Sequence, residues 1–369
     1  MLENSWFKKE KPLLGLTGMG GGVGSNLVGG GDTGLPVEEV FDIKLYAGNN
    51  SANIITNGMN LDVSNGSPGG LVLMKVRNYD GGHFAAYDTA RGASTDIHFN
   101  LWNMSDDRSG GAWASYGLNS FNTNGFTLGG NWMWENGSGY DHVAWTFMKS
   151  EKFFDICTWN GNTTAGRDIP HNLGCDPGMI IVKRLNGTGE WFVWHHSLNM
   201  TERDALQMNS TAAMLNSSSP TSEDFWEAYS GPAPDMNSST FTVGSCDKVN
   251  ATSNNYLAYL FAKDESNIKC GKYTGSGSSG NSVTVGFKPQ FLLIKRAIGG
   301  AGDWLFLDTT RGINSSGNDQ ELVCPTVADE DGYDDYVTLT NDGFDVEITW
   351  DAYNKSGDEY IYVAIKEED

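Results

Sequence analysis

Phe291-Leu-Leu-Ile-Lys295-Arg296 reads as an apolar strand that ends in two cations, and it is one of three such strands in the chain. The others are Met179-Ile-Ile-Val-Lys183-Arg184 and Leu71-Val-Leu-Met-Lys75-Val-Arg77, with the lysines 108 and 112 residues apart. A turn signal precedes each: Phe287-Lys-Pro-Gln, Cys175-Asp-Pro-Gly and Ser67-Pro-Gly-Gly. An aromatic strand follows each: Asp303-Trp-Leu-Phe-Leu307-Asp308, Glu190-Trp-Phe-Val-Trp194-His195 and His83-Phe-Ala-Ala-Tyr87-Asp88. Self-similarity at this period decides the architecture before any local propensity does.

Working outward, the flanks repeat as well. The openings are Phe41 to Gly48, Phe154 to Gly161 and Ile268 to Gly275. Late in each copy come Asn122-Thr-Asn-Gly125-Phe126, Asn237 to Phe241 and Asn341-Asp-Gly343-Phe344. The closing strands are Tyr140 to Lys149, Tyr256 to Lys263 and Tyr360 to Lys366. Copies one and three also share Asp88-Thr-Ala-Arg91-Gly92 and Asp308-Thr-Thr-Arg311-Gly312. Period-two patterning puts Trp, Tyr and Phe on one face of each strand, and runs apolar at every position suit central strands covered on both faces. The expected fold is all-β: three tandem antiparallel β-sandwich, jelly-roll-like domains over 41–152, 153–267 and 268–369, after a glycine-rich docking arm over 1–40. The very short joins predict a stiff rod or a compact stack.

Composition narrows the function. The chain has 369 residues and a net charge of −22, so it repels phosphate backbones and anionic bilayers; nucleic-acid partners and membrane insertion are not expected. No run approaches a membrane span, and the N-terminus lacks a signal-peptide core, so it is read as part of the mature protein. Five cysteines, Cys157, Cys175, Cys246, Cys270 and Cys324, have neither zinc-type nor disulfide-framework spacing and are expected to be free thiols. In the arm, Trp6, Phe7, Leu13 and Leu14 stand among lysines before the glycine tether, the layout of an assembly anchor.

Chemistry-bearing motifs are sparse. The Gly18–Gly24 run has no strand before it and no helix after it, so it is not a dinucleotide fingerprint. No GxSxG elbow occurs, and no catalytic residues are assigned. His195 and His196 are adjacent on a strand and so face opposite ways, which reads as structural. The loop Asp329 to Asp335 lacks the EF-hand pattern; no metal is assigned, and Asp329, Asp331 and Asp334 are the residues that would hold calcium if any were bound. Loop tryptophans are Trp102, Trp113, Trp132, Trp134 and Trp226. Of these, Trp113, Trp132, Trp134 and Trp226 are taken as candidates for stacking on sugar faces, against the plainer reading of packing within or between protomers.

The repeated residues resemble a domain of structural proteins from tailed phages, chiefly marine and cyanobacterial ones. That family's strand, roughly Pro-x-Φ-Φ-Φ-Ile-Lys-Arg with Φ apolar, is followed by Trp-x-Φ-Φ, a late Asn-Gly-Phe and a closing Tyr-Ile-Tyr-x-Ala-Φ. Pro289 to Arg296, Asp303 to Leu307, Asn341 to Phe344 and Tyr360 to Ile365 match it, and copy two follows through Pro177 to Arg184 and Tyr256 to Phe261. Copy one has drifted, with Gly69-Gly70 in place of Pro177 and Pro289. The resemblance implies a non-enzymatic virion protein, made in the host cytoplasm and carried on the particle. A tail fibre or appendage that attaches to a host-surface glycan is the first expectation. A capsid decoration or cement protein is the alternative, and a glycan-active tail enzyme comes third. Partners expected on this reading are other virion proteins, through the arm, and further copies of the chain, with a trimer favoured.

Overall fold

The computed structural model describes residues 34–103, 105–107, 116–130, 132–216, 223–226, 235–313 and 317–368. Residues 34–369 form one compact unit. The fold is all-β, built from antiparallel sheets. No helix among the described residues is long and apolar enough to cross a membrane. The arm anchors Trp6, Phe7, Leu13 and Leu14 lie outside the described residues; of the arm's end, Val37–Val40 forms one helical turn whose two valines are buried.

Three large sheets share one strand order. In the first, Phe41–Ala47 pairs with Asp141–Met148, which pairs with the lysine strand Gly70–Val76, then Ala85–Asp88, Thr95–His98 and Asp106–Asp107. The second runs Phe154–Asn160, Asn255–Ala262, Pro177–Arg184, Trp191–His195 and Leu206–Gln207. The third runs Ile268–Thr274, Glu359–Lys366, Pro289–Ile298, Trp304–Asp308 and Glu321–Cys324, with Asp264–Glu265 at its edge. A small sheet accompanies each: Asn53–Ile55 with Gly125–Leu128 and Leu118–Asn122, Arg167–Pro170 with Thr240–Val243, and Asn281–Thr284 with Gly343–Val346 and Val337–Thr340. Aromatic contacts join small sheet to large, as where Phe241 meets Trp159 edge-on at 5.8 Å and Phe344 meets Tyr362 at 5.7 Å.

The repeated lysines explain their own recurrence. Lys75, Lys183 and Lys295 are fully buried. Each Nζ donates to a carbonyl of its own hairpin, Gly82, Gly189 or Gly302, and lies 5.7 Å from the ring of Phe84, Trp191 or Trp304. Burial lowers all three to about 8. A second device recurs at Asn136, Asn250 and Asn354, all fully buried. Each amide donates to two main-chain carbonyls: Ser51 and Gly129, Thr164 and Gly244, Ser278 and Ile348. The residue before each of these asparagines accepts from the opening strand's aromatic: Tyr46 to Glu135, Trp159 to Val249 and Tyr273 to Tyr353. The repeated Gly161 and Gly275 follow from the same corner, because a Cβ there would lie 2.1 Å from the carbonyl oxygen of Ala251 or Lys355.

The repeats close on one another in a cycle, so the rod is excluded. Copy two reaches copy one through Trp191 Nε1 to the His98 carbonyl (2.9 Å) and Tyr259 Oη to Asp88 (2.8 Å). Copy three reaches copy two through Trp304 Nε1 to the Gln207 carbonyl (2.9 Å) and Lys295 Nζ to the Thr211 carbonyl (3.1 Å). Copy one reaches copy three through Trp145 Nε1 to Asp308 (2.9 Å), Lys75 Nζ to the Ala328 carbonyl (2.9 Å) and Arg77 to Glu330 (2.6 Å). Leu73, Phe99, Phe147, Ile181, Phe261 and Phe291 meet where the three large sheets converge, leaving a void of ≈ 10 Å³. A void of that size sits at the lower limit for one water, so this centre is packed core rather than a ligand site.

Candidate functional site

Two places break the repeat's regularity. The first lies in the interior of copy one. The β-ladder aligns the three copies: Ala85 faces His98, Phe192 faces Gln207, and Leu305 faces Val323. His98 therefore occupies the position of Gln207 and Val323, and Asp96, two residues earlier on the same strand face, that of Ala205 and Glu321. Glu135, directly before the repeated Asn136, stands where copies two and three carry Val249 and Tyr353. Asp96, His98 and Glu135 are all buried, and their ligand atoms lie within 4.8 Å of one another. His98 Nε2 is 3.3 Å from Asp96 Oδ2. Tyr87 Oη donates to Glu135 Oε1 at 3.3 Å.

Aromatic rings wall this cluster. Trp134 meets His83 edge-on at 4.5 Å and His98 at 6.0 Å; Trp132 meets Trp134 at 5.0 Å and Tyr116 at 5.8 Å. Asn100 orients His83: its Oδ1 accepts from Phe84 N–H (3.1 Å), so its amide must donate to His83 Nδ1 (2.8 Å). Burial holds the His83 pKa below its ordinary value, so the ring is neutral near pH 7 and carries its hydrogen on Nε2.

The second place is the seam between copies one and two. A pocket of ≈ 270 Å³ is lined by Trp102, Arg184, Thr188, Glu190, Asp247 and Lys248, among others. Trp102 is 61% exposed, while its carbonyl accepts from Gly189 N–H at 2.8 Å, so the ring is presented from an anchored backbone. An exposed indole beside two carboxylates and two cations is chemically suited to a sugar face and its hydroxyls.

The tryptophans expected to touch glycan divide accordingly. Trp226 is fully buried and donates Nε1 to the Asp204 carbonyl (2.7 Å), so it is a core residue; its loop context concealed that the Phe225-Trp226 pair docks inward. Trp132 and Trp134 are half-buried beside the His83–His98 rings, and Trp113 lies outside the described residues. Among the described loop tryptophans, Trp102 is the exposed one that lines a pocket.

Of the acidic loop, Asp329 is exposed, Asp331 accepts from Tyr333 N–H, and Asp334 gives its carbonyl to Asp319 N–H. Among the described residues it supplies no three-ligand group; Asp96, His98 and Glu135 do. Sequence reasoning missed these three because Asp96 and His98 share a short strand while Glu135 lies on a distant helical turn, with no motif spacing to join them. All five cysteines are free, and burial raises Cys175 and Cys246 to about 12.

No curated protein and no solved structure shows significant similarity to the chain. Residues 37–369 match the family described as a domain of unknown function, DUF7483, a match that starts at the buried Val37 turn and spans all three repeats. The chain therefore belongs to the DUF7483 family.

Proposed function

We propose that the chain is a non-enzymatic virion protein of a tailed phage, a tail-fibre or appendage subunit that attaches the particle to a host-surface glycan. What supports this reading is the contrast between frame and lining. The buried lysines and asparagines recur in every repeat, whereas the pocket between copies one and two presents the exposed Trp102 among side chains that the repeat does not reproduce. A frame kept in triplicate with divergent linings is the organisation of a recognition scaffold, in which several weak contacts combine into avidity.

In this reading each repeat is a jelly-roll-like β-sandwich. The opening and closing strands pair in the large sheet, and the next strands inward, Asn53–Ile55 and Gly125–Leu128, pair in the small one. The arm ahead of the buried Val37 turn docks onto other virion proteins, and the chain assembles as a homo-oligomer, a trimer on this proposal.

Immuno-electron microscopy of purified particles with antibody to the folded unit tests the assignment. Labelling of the tail at a few dozen copies or fewer is the expected result. Hundreds of copies over the head would make it a decoration protein instead. A monomeric protein that labels no particle would remove the virion reading altogether, and release of reducing ends from host polysaccharide would make it an enzyme.

A further inference from the structure

We propose that Asp96, His98 and Glu135 bind one divalent transition-metal ion of the zinc class inside copy one. This inference rests on the interior of the repeat and is independent of the virion reading.

The first argument is the donor set. Two carboxylates and an imidazole in a fully buried space suit a borderline cation, and the imidazole disfavours calcium and magnesium, which take oxygen ligands.

The second argument is distance. Tetrahedral ligands about 2.0 to 2.1 Å from zinc lie about 3.3 to 3.4 Å apart along each edge. The His98 Nε2 to Asp96 Oδ2 separation is 3.3 Å. Tyr87 orients Glu135 from behind. His83 is not a ligand: with Nδ1 accepting from Asn100, its Nε2 carries hydrogen and can only donate. It is a partner for a water or carboxylate oxygen on the ion, as outer groups commonly are.

The third argument is internal comparison. The same fold position is filled by Ala205, Gln207 and Val249 in copy two. In copy three Tyr353 Oη hydrogen-bonds Glu321 there, beside Val323. Two sister repeats make the same sheets without this triad, so the fold does not require it.

The test uses the full chain, purified without chelator or affinity metal, stripped, and titrated with zinc and with cobalt. The expected result is one equivalent bound per chain, a rise in Tm on binding, and visible cobalt absorption of a low-symmetry site with nitrogen and oxygen ligands. His98→Ala should bind at least tenfold less. Because that variant leaves two buried carboxylates, a second one, Asp96→Ala with Glu135→Val, installs the copy-two residues; it should fold, with native near-ultraviolet dichroism, and bind none. Wild type that takes up under a tenth of an equivalent would overturn the site, leaving a plain His98–Asp96 ion pair. Uptake unchanged in both variants would also overturn it.

Discussion

At the residue scale, position within a copy decides chemistry. Glu321 lies where copy one has Asp96 and copy two has Ala205, and burial raises its pKa to about 7 from 4.5. The folded state therefore holds this proton to higher pH than the unfolded chain does. Stability from the protonated carboxyl is fully present below pH 4.5 and is lost as pH rises through 7, by about 3 kcal/mol at most. Two histidines act in the opposite sense: burial lowers His142 to about 4 and His195 to about 3, so stability falls as acid protonates them in the unfolded chain below about 6.5. Denaturant titrations of wild type and Glu321→Gln at pH 4.5 and 7 separate these effects. The variant should gain on wild type by about 2 to 3 kcal/mol between those values; a constant difference would mean that Glu321 is ionised throughout.

At the element scale, the repeated asparagine corner joins the two sheets of each copy. Asn250 is fully buried and its amide closes two carbonyls from separate loops, Thr164 and Gly244. Alanine there leaves the buried Gly244 carbonyl unpaired and returns the exposed Thr164 carbonyl to water, a cost of about 1 to 3 kcal/mol. Asn250→Asp removes both donations and places a carboxylate against carbonyl oxygens, so it should be the worse substitution at pH 7. Chemical denaturation of both variants checks the order; a loss under 1 kcal/mol for Asn250→Ala would show that water replaces the amide. The lysine strand was legible in the sequence because an apolar run with a terminal cation recurred three times. The asparagine corner was equally periodic, but its partners are loop carbonyls, which carry no side-chain signature.

At the scale of the whole molecule, the cycle makes the copies interdependent. The main buried apolar cluster runs through all three copies, and the seams are hydrogen-bonded to buried charge. Calorimetry should therefore show one cooperative transition for residues 34–369 rather than three. Tyr259→Phe deletes the seam bond to Asp88, leaves Asp88 paired with Arg91, and should lower stability by about 1.5 to 3 kcal/mol while keeping a single transition. Three resolved transitions would show that the copies fold alone.

The three strand sets, their turns and their order along the chain were readable because they rest on local rules: alternation of apolar residues, turn chemistry and recurrence. Closure into a cycle was not readable, since short joins suit a rod as well as a ring and only the Trp191, Trp304 and Trp145 contacts choose between them. The same limit hid the cluster of Asp96, His98 and Glu135. Asp96 and His98 lie on one strand and Glu135 on a helical turn far along the chain, and nothing local marks residues that only folding brings within 4.8 Å. Trp226 shows the reverse error, where a polar, glycine-rich neighbourhood suggested exposure and the fold buried the ring. Periodicity reports which face of a strand a side chain takes; only packing between distant segments decides what that face meets.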